Sequence, residues 1–540
     1  MAVELYRTPQ GWSMGGERAY LAEFYPRLLS WLISRRPAHF AEVASPDVTL
    51  ETISAPGTLL EVRRWVALLS TLAVPLTYLL ARRFVRAPAA LFAAALLATS
   101  LLAVLFAHQA RPHAVTTTTT LLALLACLHA AARPSRTAWL AAGAACGVAI
   151  GILHNGLALL PSLAVAAWLS GPGPRGAARN LGLAALTLVP LVLLSYPAYL
   201  RGSEPRLADD GARLDLSGHE VLLGSFDGGG WRILWRTLAG FEPALGIAAA
   251  GAVLAWLALP WRSALRERRA LLVVLAFALP YLLVLVLYRH THERFYSPLL
   301  PLLAVAAAWG LERLAERPRG FGGARLASGL GALILLPGLA SCARLDLLFL
   351  RPHSTTRMAE WIAAHLPPED TRIAIPASLD LPPPGTAADG TPPACPPAPY
   401  PARLRMHFAS PAEIEAYARD PLPKLREWSA SHYVRLEPAR PLPGGPAHAM
   451  NQWLESHARC LVVLPERSIG VVGGGPSDYQ DSDPDHQALY LLRLWRGQAL
   501  GPRLGLWAVR EDARLTDDLA PAQAAAGPAA EVLAPTSPGR

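Results

Sequence analysis

The sequence predicts an α-helical polytopic membrane protein of about ten spans, followed by a small C-terminal α/β domain. Three observations predict it. Of the 540 residues, 52% are hydrophobic and only 16% are charged, against about 25% charged in soluble globular proteins. The mean hydropathy is +0.29, and apolar side chains are too abundant for disorder over most of the length. The arginines lie beside the apolar runs, so the net charge of +9 speaks of membrane orientation and not of a nucleic-acid partner. The five cysteines (Cys127, Cys146, Cys342, Cys395, Cys460) show no C-x-x-C spacing, which excludes a zinc site of the usual kind and a disulfide framework.

Residues 1–57 read as an outer loop. Within it the stretch from Phe24 to Ile33 is apolar but too short to span, and a helix lying in the interface suits it, with Tyr25 and Trp31 at headgroup level. Residues 58–343 form the bundle. Its apolar segments cover 65–81, 87–107, 114–132, 137–153, 156–170, 180–200, 243–260, 270–288, 295–311 and 326–343, against the roughly 17–25 residues that a crossing takes. The fourth and fifth, parted only by His154 and Asn155, fit one tight hairpin. Alternate loops carry Arg82, Arg83 and Arg86; Arg133 and Arg136; Arg175 and Arg179; Arg262, Arg266, Arg268 and Arg269; and Arg313, Arg317, Arg319 and Arg325. By the positive-inside rule these loops are cytoplasmic. The first loop and everything from residue 344 are then extracytoplasmic. The chain opens MAVELYRTPQ, without an apolar stretch to export that loop. Met1 is therefore expected to be internal, with one further helix upstream; an uncleaved translocated tail is the alternative.

Residues 344–518 read as the α/β domain, with a helix over 355–364 and strands over 372–375, 460–464, 488–492 and 504–510. A Pro-rich insert over 381–402 and an Ala/Pro-rich tail over 519–540 read as flexible linkers.

Polar groups at the outer ends of spans are the candidates for chemistry. His108, Gln109, Arg111 and His113 precede five threonines, Thr116 to Thr120; the threonines fit a cavity lining, and fit helix-to-helix hydrogen bonding better. His154 and Asn155 sit at the hairpin tip, where a plain turn accounts for them equally well. The densest outer cluster is Arg289, His290, Thr291, His292, Glu293, Arg294, Phe295 and Tyr296. The planar fork of an arginine suits phosphate oxygens, although basic residues at span ends also anchor headgroups. A divalent metal can be drawn between His290 and His292, but no carboxylate pair accompanies them at ligand spacing, and no metal ligand is assigned.

Five stretches, in order, resemble the C-type membrane glycosyltransferases (the GT-C fold). More narrowly they are similar to bacterial relatives of the protein O-mannosyltransferases and of the aminoarabinose transferase of lipid A, the family 39 or Rgt-like group. They are Phe24-Tyr25-Pro26 with Leu28-Leu29; Arg63-Arg64-Trp65 running to Tyr78 and Arg82-Arg83; Ala110-Arg111-Pro112-His113; Glu293-Arg294-Phe295-Tyr296 running to Pro301; and Arg357-Met358-Ala359-Glu360-Trp361-Ile362. The resemblance implies inverting transfer of a sugar from a polyprenyl-phosphate donor to a glycan, lipid or protein acceptor at the outer face of the bacterial inner membrane. A carboxylate takes the acceptor proton in such a reaction, and cations stabilise the leaving phosphate. The resemblance thus makes Arg294, Arg289, Arg111 and Arg64 candidates for the donor phosphate. Tyr25, His108, His113, His154, Asn155, His292 and Tyr296 become candidates for the donor and acceptor cavity. Membrane lipids are further partners, and no glycine-rich phosphate loop follows a strand, so no nucleotide cofactor is called for.

Two departures stand out. The family places its catalytic acid, often an Asp-Glu pair, well before the Phe24-Tyr25-Pro26 stretch, which here falls at or before Met1. Glu17 and Glu23 are the nearest candidates, and ordinary solvated loop acids describe them as well. His113 stands where the family stretch usually has aspartate. The competing readings are an inactive or truncated relative and, more remotely, a flippase of lipid-linked glycan. A flippase would show internal repeats and helices broken near the bilayer midplane.

Overall fold

The computed structural model describes residues 56–109, 111–171, 173–196, 206–207, 213–216, 219–258, 265–316, 322–375, 381, 402–405, 413, 416, 419–437, 446–464, 490–497 and 503–509. Glu17, Glu23, Tyr25 and the apolar stretch around them lie outside these residues, as do nearly all of the Pro-rich insert and the tail. The chain divides into two compact units between Asp346 and Leu347.

The first unit is helical. Helices α1 (Pro56–Thr71) and α2 (Ala73–Ala81) run almost continuously. Then α3 (Ala87–Ala98) and α4 (Leu101–Ala107) meet at a 55° bend. Next come α5 (Pro112–Ala132), with Pro112 in its first turn, and α6 (Arg136–Ile152), capped by Ser135. Proline at that position loses no intrahelical bond, since the first N–H groups have no helical partner. A 3-10 turn (His154–Ala158) leads to α7 (Leu159–Ser170) and α8 (Gly173–Ser195). A three-stranded antiparallel sheet follows, β1 (Arg206–Leu207), β2 (Arg213–Leu216) and β3 (His219–Leu222). Helices α9 (Gly230–Phe241) and α10 (Pro243–Ala258) are bent by 117° at Glu242. Then α11 (Leu265–Leu287), a 3-10 turn (Glu293–Leu299), α12 (Leu300–Ala315) and α13 (Gly322–Phe349) complete the unit.

Among the described residues six helices are long and apolar enough to cross a membrane, or up to eight when each bent pair counts as one span. All ten segments read from the sequence are largely helical; what differs is length. Helices α6 and α7 have 17 and 12 residues, and at 1.5 Å per residue the latter reaches only about 18 Å. Nor do these two form the expected hairpin. Helix α6 packs chiefly on α8 and α5, whereas α7 packs on α11, α5 and α8.

The contact between α6 and α8 has a clear cause in Gly143 and Gly147, spaced four apart. A Cβ on Gly143 would stand 2.0 Å from the Ala184 carbonyl oxygen, and one on Gly147 would stand 2.9 Å from Leu191 Cβ. Such small-residue stripes let helix backbones approach where lipid removes the hydrophobic drive to associate. Thr187 adds a hydrogen bond from its Oγ1 to Leu140 O at 2.7 Å.

The second unit holds a mixed sheet in the order β5-β4-β6-β8-β7. Its strands are β4 (Arg372–Ile375), β5 (Ala402–Arg405), β6 (His432–Glu437), β7 (Arg459–Leu464) and β8 (Arg503–Ala508). Strand β4 is parallel to β5 and β6, and β8 is antiparallel to β6 and β7. Side chains alternate between the two faces of a strand. Val434, Ile373 and Leu506 accordingly pack with Met358 and Ile362 of α14 (Ser354–His365). Tyr433, Ala374 and Trp507 pack on the other face with Leu425 of α15 (Leu422–Glu427) and with Met450 and Leu454 of α16 (Pro446–His457). Of the predicted strand at 488–492, the described residues from Tyr490 onward instead start a helix, Tyr490–Arg496. Leucine and arginine favour helix there, and a short apolar run does not by itself fix its period.

Candidate active site

The 3-10 turn Glu293–Leu299 packs against the first turns of α5, and the side chains read as a cluster from the sequence converge there. Phe295 is their hub. The His113 ring meets it edge-on at 5.3 Å between centroids, His292 lies at 5.8 Å, and the Arg294 guanidinium sits 5.2 Å from its centroid. The Tyr281 hydroxyl donates to Phe295 O at 2.7 Å and lies 3.4 Å from Asn155 Nδ2. Tyr296, buried, donates to Gly230 O at 3.2 Å. His113, His292, Asn155, Tyr296 and Arg294 therefore belong to one neighbourhood, joined through Tyr281 and Gly230 and built from five segments of the chain.

The charge of this neighbourhood is unbalanced. Arg111, the residue before α5, is near enough to Arg294 for their charges to repel, with Glu293 as a partly compensating carboxylate. Burial pushes the Arg111 guanidinium below its ordinary range, because loss of water disfavours its charged form. Arg294 Nε and Ser297 Oγ are buried with no hydrogen-bond partner among the described residues. Two partly buried guanidinium groups, with the Arg294 Nε–H and the Ser297 hydroxyl unused, make an arrangement that gains from an anion such as a phosphate.

Other candidates fall elsewhere. Arg289 is exposed and pairs with Asp227, whose Oδ1 also accepts from Gly229 N at 2.8 Å. These contacts, the backbone bond first, hold the Asp227 carboxyl below its usual range. Arg289 thereby ties the loop before α9 to the end of α11. Arg64 is exposed and faces Glu61, one turn earlier, at 3.5 Å. His108 Nδ1 lies 2.8 Å from Val104 O, and its Nε2 is 3.9 Å from Asp346 Oδ1. His154 starts the 3-10 turn beside Asn155. All five threonines of α5 are buried. Thr116 and Thr119 bond to their own helix, and Thr118 donates to Leu69 O of α1 at 2.9 Å. That is a packing role. Among the described residues no three His, Cys, Asp or Glu side chains are grouped to hold a metal ion.

Sequence reasoning passed over two buried carboxylates. Glu61 is only 6% exposed at the start of the first span; its position among apolar residues was the available signal. Glu242 is equally buried and accepts from Ser100 Oγ at 2.6 Å and Leu102 N at 3.0 Å.

Residues 56–199 match the family model described as dolichyl-phosphate-mannose-protein mannosyltransferase. Over that stretch the chain resembles these membrane glycosyltransferases. The matched region contains Arg111, His113 and Asn155, although not Arg294. Among solved structures the chain is similar to ArnT from Cupriavidus metallidurans bound to undecaprenyl phosphate, at 16% identity and a TM-score of 0.41, over 81% of this chain and 87% of that one. It is also similar to the oligosaccharyltransferase AglB from Archaeoglobus fulgidus in complex with an inhibitory peptide and a dolichol-phosphate, at 12% identity and a TM-score of 0.46, over 88% of this chain and 69% of that one. No curated protein sequence matches it.

Proposed function

We propose that the protein is a membrane glycosyltransferase that moves a sugar from a polyprenyl-phosphate donor to an acceptor hydroxyl at the outer face of the bacterial inner membrane, with inversion at the anomeric carbon. The observation that carries this reading is Arg111 and Arg294, two partly buried guanidinium groups whose like charges act on each other, with Arg294 Nε left without a hydrogen-bond partner among the described residues. The bond from the anomeric carbon to the phosphate oxygen breaks as the acceptor oxygen attacks. The phosphate leaves with the electron pair, and Arg111 and Arg294 neutralise it in a setting where water competes poorly. The acceptor proton passes to a carboxylate, for which Glu17 and Glu23 remain the candidates. His113 and His292, packed on the Phe295 ring, flank the place where the sugar would sit. The resemblance of residues 56–199 to the mannosyltransferase family supports the reading.

The structure also contains what a flippase would show, namely two helices broken within the bundle, at Thr99–Ser100 and at Glu242. These breaks satisfy one another, since the Glu242 carboxylate caps α4. The cavity beside them, lined by Thr99, Glu242, Gly338 and Ser341, holds about 30 Å³, room for about one or two waters. The breaks therefore read as architecture.

The deciding experiment is binding of undecaprenyl phosphate to the purified full chain, followed by native mass spectrometry. Arg294→Ala is expected to lower retention at least tenfold with thermal unfolding unchanged, and Arg294→Lys to restore part of it. Equal retention by Arg294→Ala would remove Arg294 from the site.

A further inference from the structure

Helix α9 has three distinct faces. Gly230, Thr237, Gly240 and Phe241 are buried against the bundle. Trp231 and Trp235 are 57% and 65% exposed, one turn apart and therefore on one side of the helix. Arg232 and Arg236, also exposed, repeat that spacing on the next side round, about 100° further on. The helix sequence GWRILWRTLAGF carries no acidic residue, and neither arginine has an ion-pair partner among the described residues. A bundle wall, an aromatic side and a cationic side meet along a single helix.

The helix does not cross a bilayer by itself, nor does it continue α10 as a straight span. Its 12 residues reach about 18 Å, whereas the hydrocarbon core is about 30 Å thick. The 117° bend at Glu242 turns it well away from the axis of α10. Both of its ends are fixed. A Cβ on Gly230 would stand 2.0 Å from the Leu285 carbonyl oxygen, and Tyr296 bonds to Gly230 O. At the other end Glu242 grips Ser100 and Leu102. The exposed sides thus belong to a helix held rigidly against the spans.

We propose that α9 lies in the membrane interface at the end of the bundle that carries Arg294, and that Arg232 and Arg236 bind the phosphate headgroups of anionic phospholipids there. Tryptophan favours the boundary between acyl chains and headgroups, so Trp231 and Trp235 set the depth of the helix. The arginines, a quarter-turn away, stand at headgroup level and meet charge of opposite sign. The neighbouring α10, and α11 from Ala270 onward, are apolar and expose Ile247, Leu254, Leu279 and Leu283, so the face continues onto surface suited to lipid. The inference stands whether or not the chain transfers a sugar.

The test uses the full chain with Cys395→Ser and Cys460→Ser, a spin label on Trp235→Cys, and bilayers of phosphatidylcholine with or without phosphatidylglycerol. The label should be more accessible to oxygen than to a water-soluble nickel reagent in both bilayers. Phosphatidylglycerol should co-purify with the parent protein at least threefold above its bulk fraction, and the enrichment should be lost in Arg232→Gln/Arg236→Gln. Thermal unfolding of that variant checks that it folds, and Trp231→Cys is the second labelling site if Trp235→Cys does not express. A label exposed to the nickel reagent at both sites overturns the interfacial placement. Unchanged phosphatidylglycerol enrichment in a folded Arg232→Gln/Arg236→Gln variant overturns the role of the arginines.

Discussion

Arg111 and Arg294 carry like charges in partial burial, which sets the stability of the folded chain against the anion binding proposed for them. Like charges that repel in partial burial raise the energy of the folded chain, and a site arranged for function characteristically carries such a cost. Arg111→Met should therefore raise the melting temperature of the detergent-solubilised protein while weakening retention of undecaprenyl phosphate about tenfold. A fall in both would make Arg111 an ordinary structural cation. A second residue, His432 of β6, makes a prediction about pH. It is buried, and burial lowers its pKa from the ordinary histidine value to about 4. The folded state thus disfavours the proton that the unfolded chain binds below pH about 6.5. Stability contributed by neutral His432 is full above that pH and is lost as the pH falls toward 4, by at most about 3 kcal/mol. Chemical denaturation between pH 7 and 4 should show this loss, and His432→Gln should flatten it. Arg111, Arg294 and His113 were legible in the sequence because polar side chains stand out against apolar spans. The Phe295 hub was not, since nothing in the chain order brings His113 and His292 to one ring.

At the scale of elements, Glu242 joins two bends that would otherwise leave backbone donors unsatisfied. The first N–H groups of α4 have no helical partner, and the Glu242 carboxylate takes one of them together with the Ser100 hydroxyl. Glu242→Ala should destabilise the protein by about 1–3 kcal/mol, the usual cost of a buried donor left unpaired. Glu242→Gln keeps an acceptor oxygen in place and should cost less; equal losses would mean that packing and not hydrogen bonding holds the joint. The ten apolar runs were readable from composition. The bends were not, because hydropathy over 87–107 is continuous through Ser100, and a serine inside a helix is compatible with no break at all. The same limit explains α6 and α7. Their apolar content predicts burial in lipid or in protein equally, and only the glycine contact of α6 with α8 shows which neighbour it takes.

For the whole molecule, orientation follows from which loops meet. Arg86 reaches Glu316 at 3.1 Å, and its backbone N–H donates to Glu312 at 2.9 Å, so two of the arginine-rich loops share one end of the bundle. Arg111 acts electrostatically on Arg294, Asn155 meets Tyr281, and His108 approaches Asp346, so loops read as outer come together as well. A span count wrong by one between either set of partners would have separated them. Two of the five basic loops are thereby joined at one end, and their alternation depends on even and odd and not on the total number of crossings. By the positive-inside rule the Arg86 end is expected to be cytoplasmic. The chain from residue 344 onward is then expected on the outer side. Cys460 of β7 is exposed, whereas Cys127, Cys146 and Cys342 are buried. With Cys395 replaced by serine, a membrane-impermeant maleimide added to intact bacterial spheroplasts should label Cys460 alone, and Cys460→Ser should abolish the signal. Labelling that requires permeabilisation would invert the orientation, and would put the Arg111 and Arg294 pair on the cytoplasmic side.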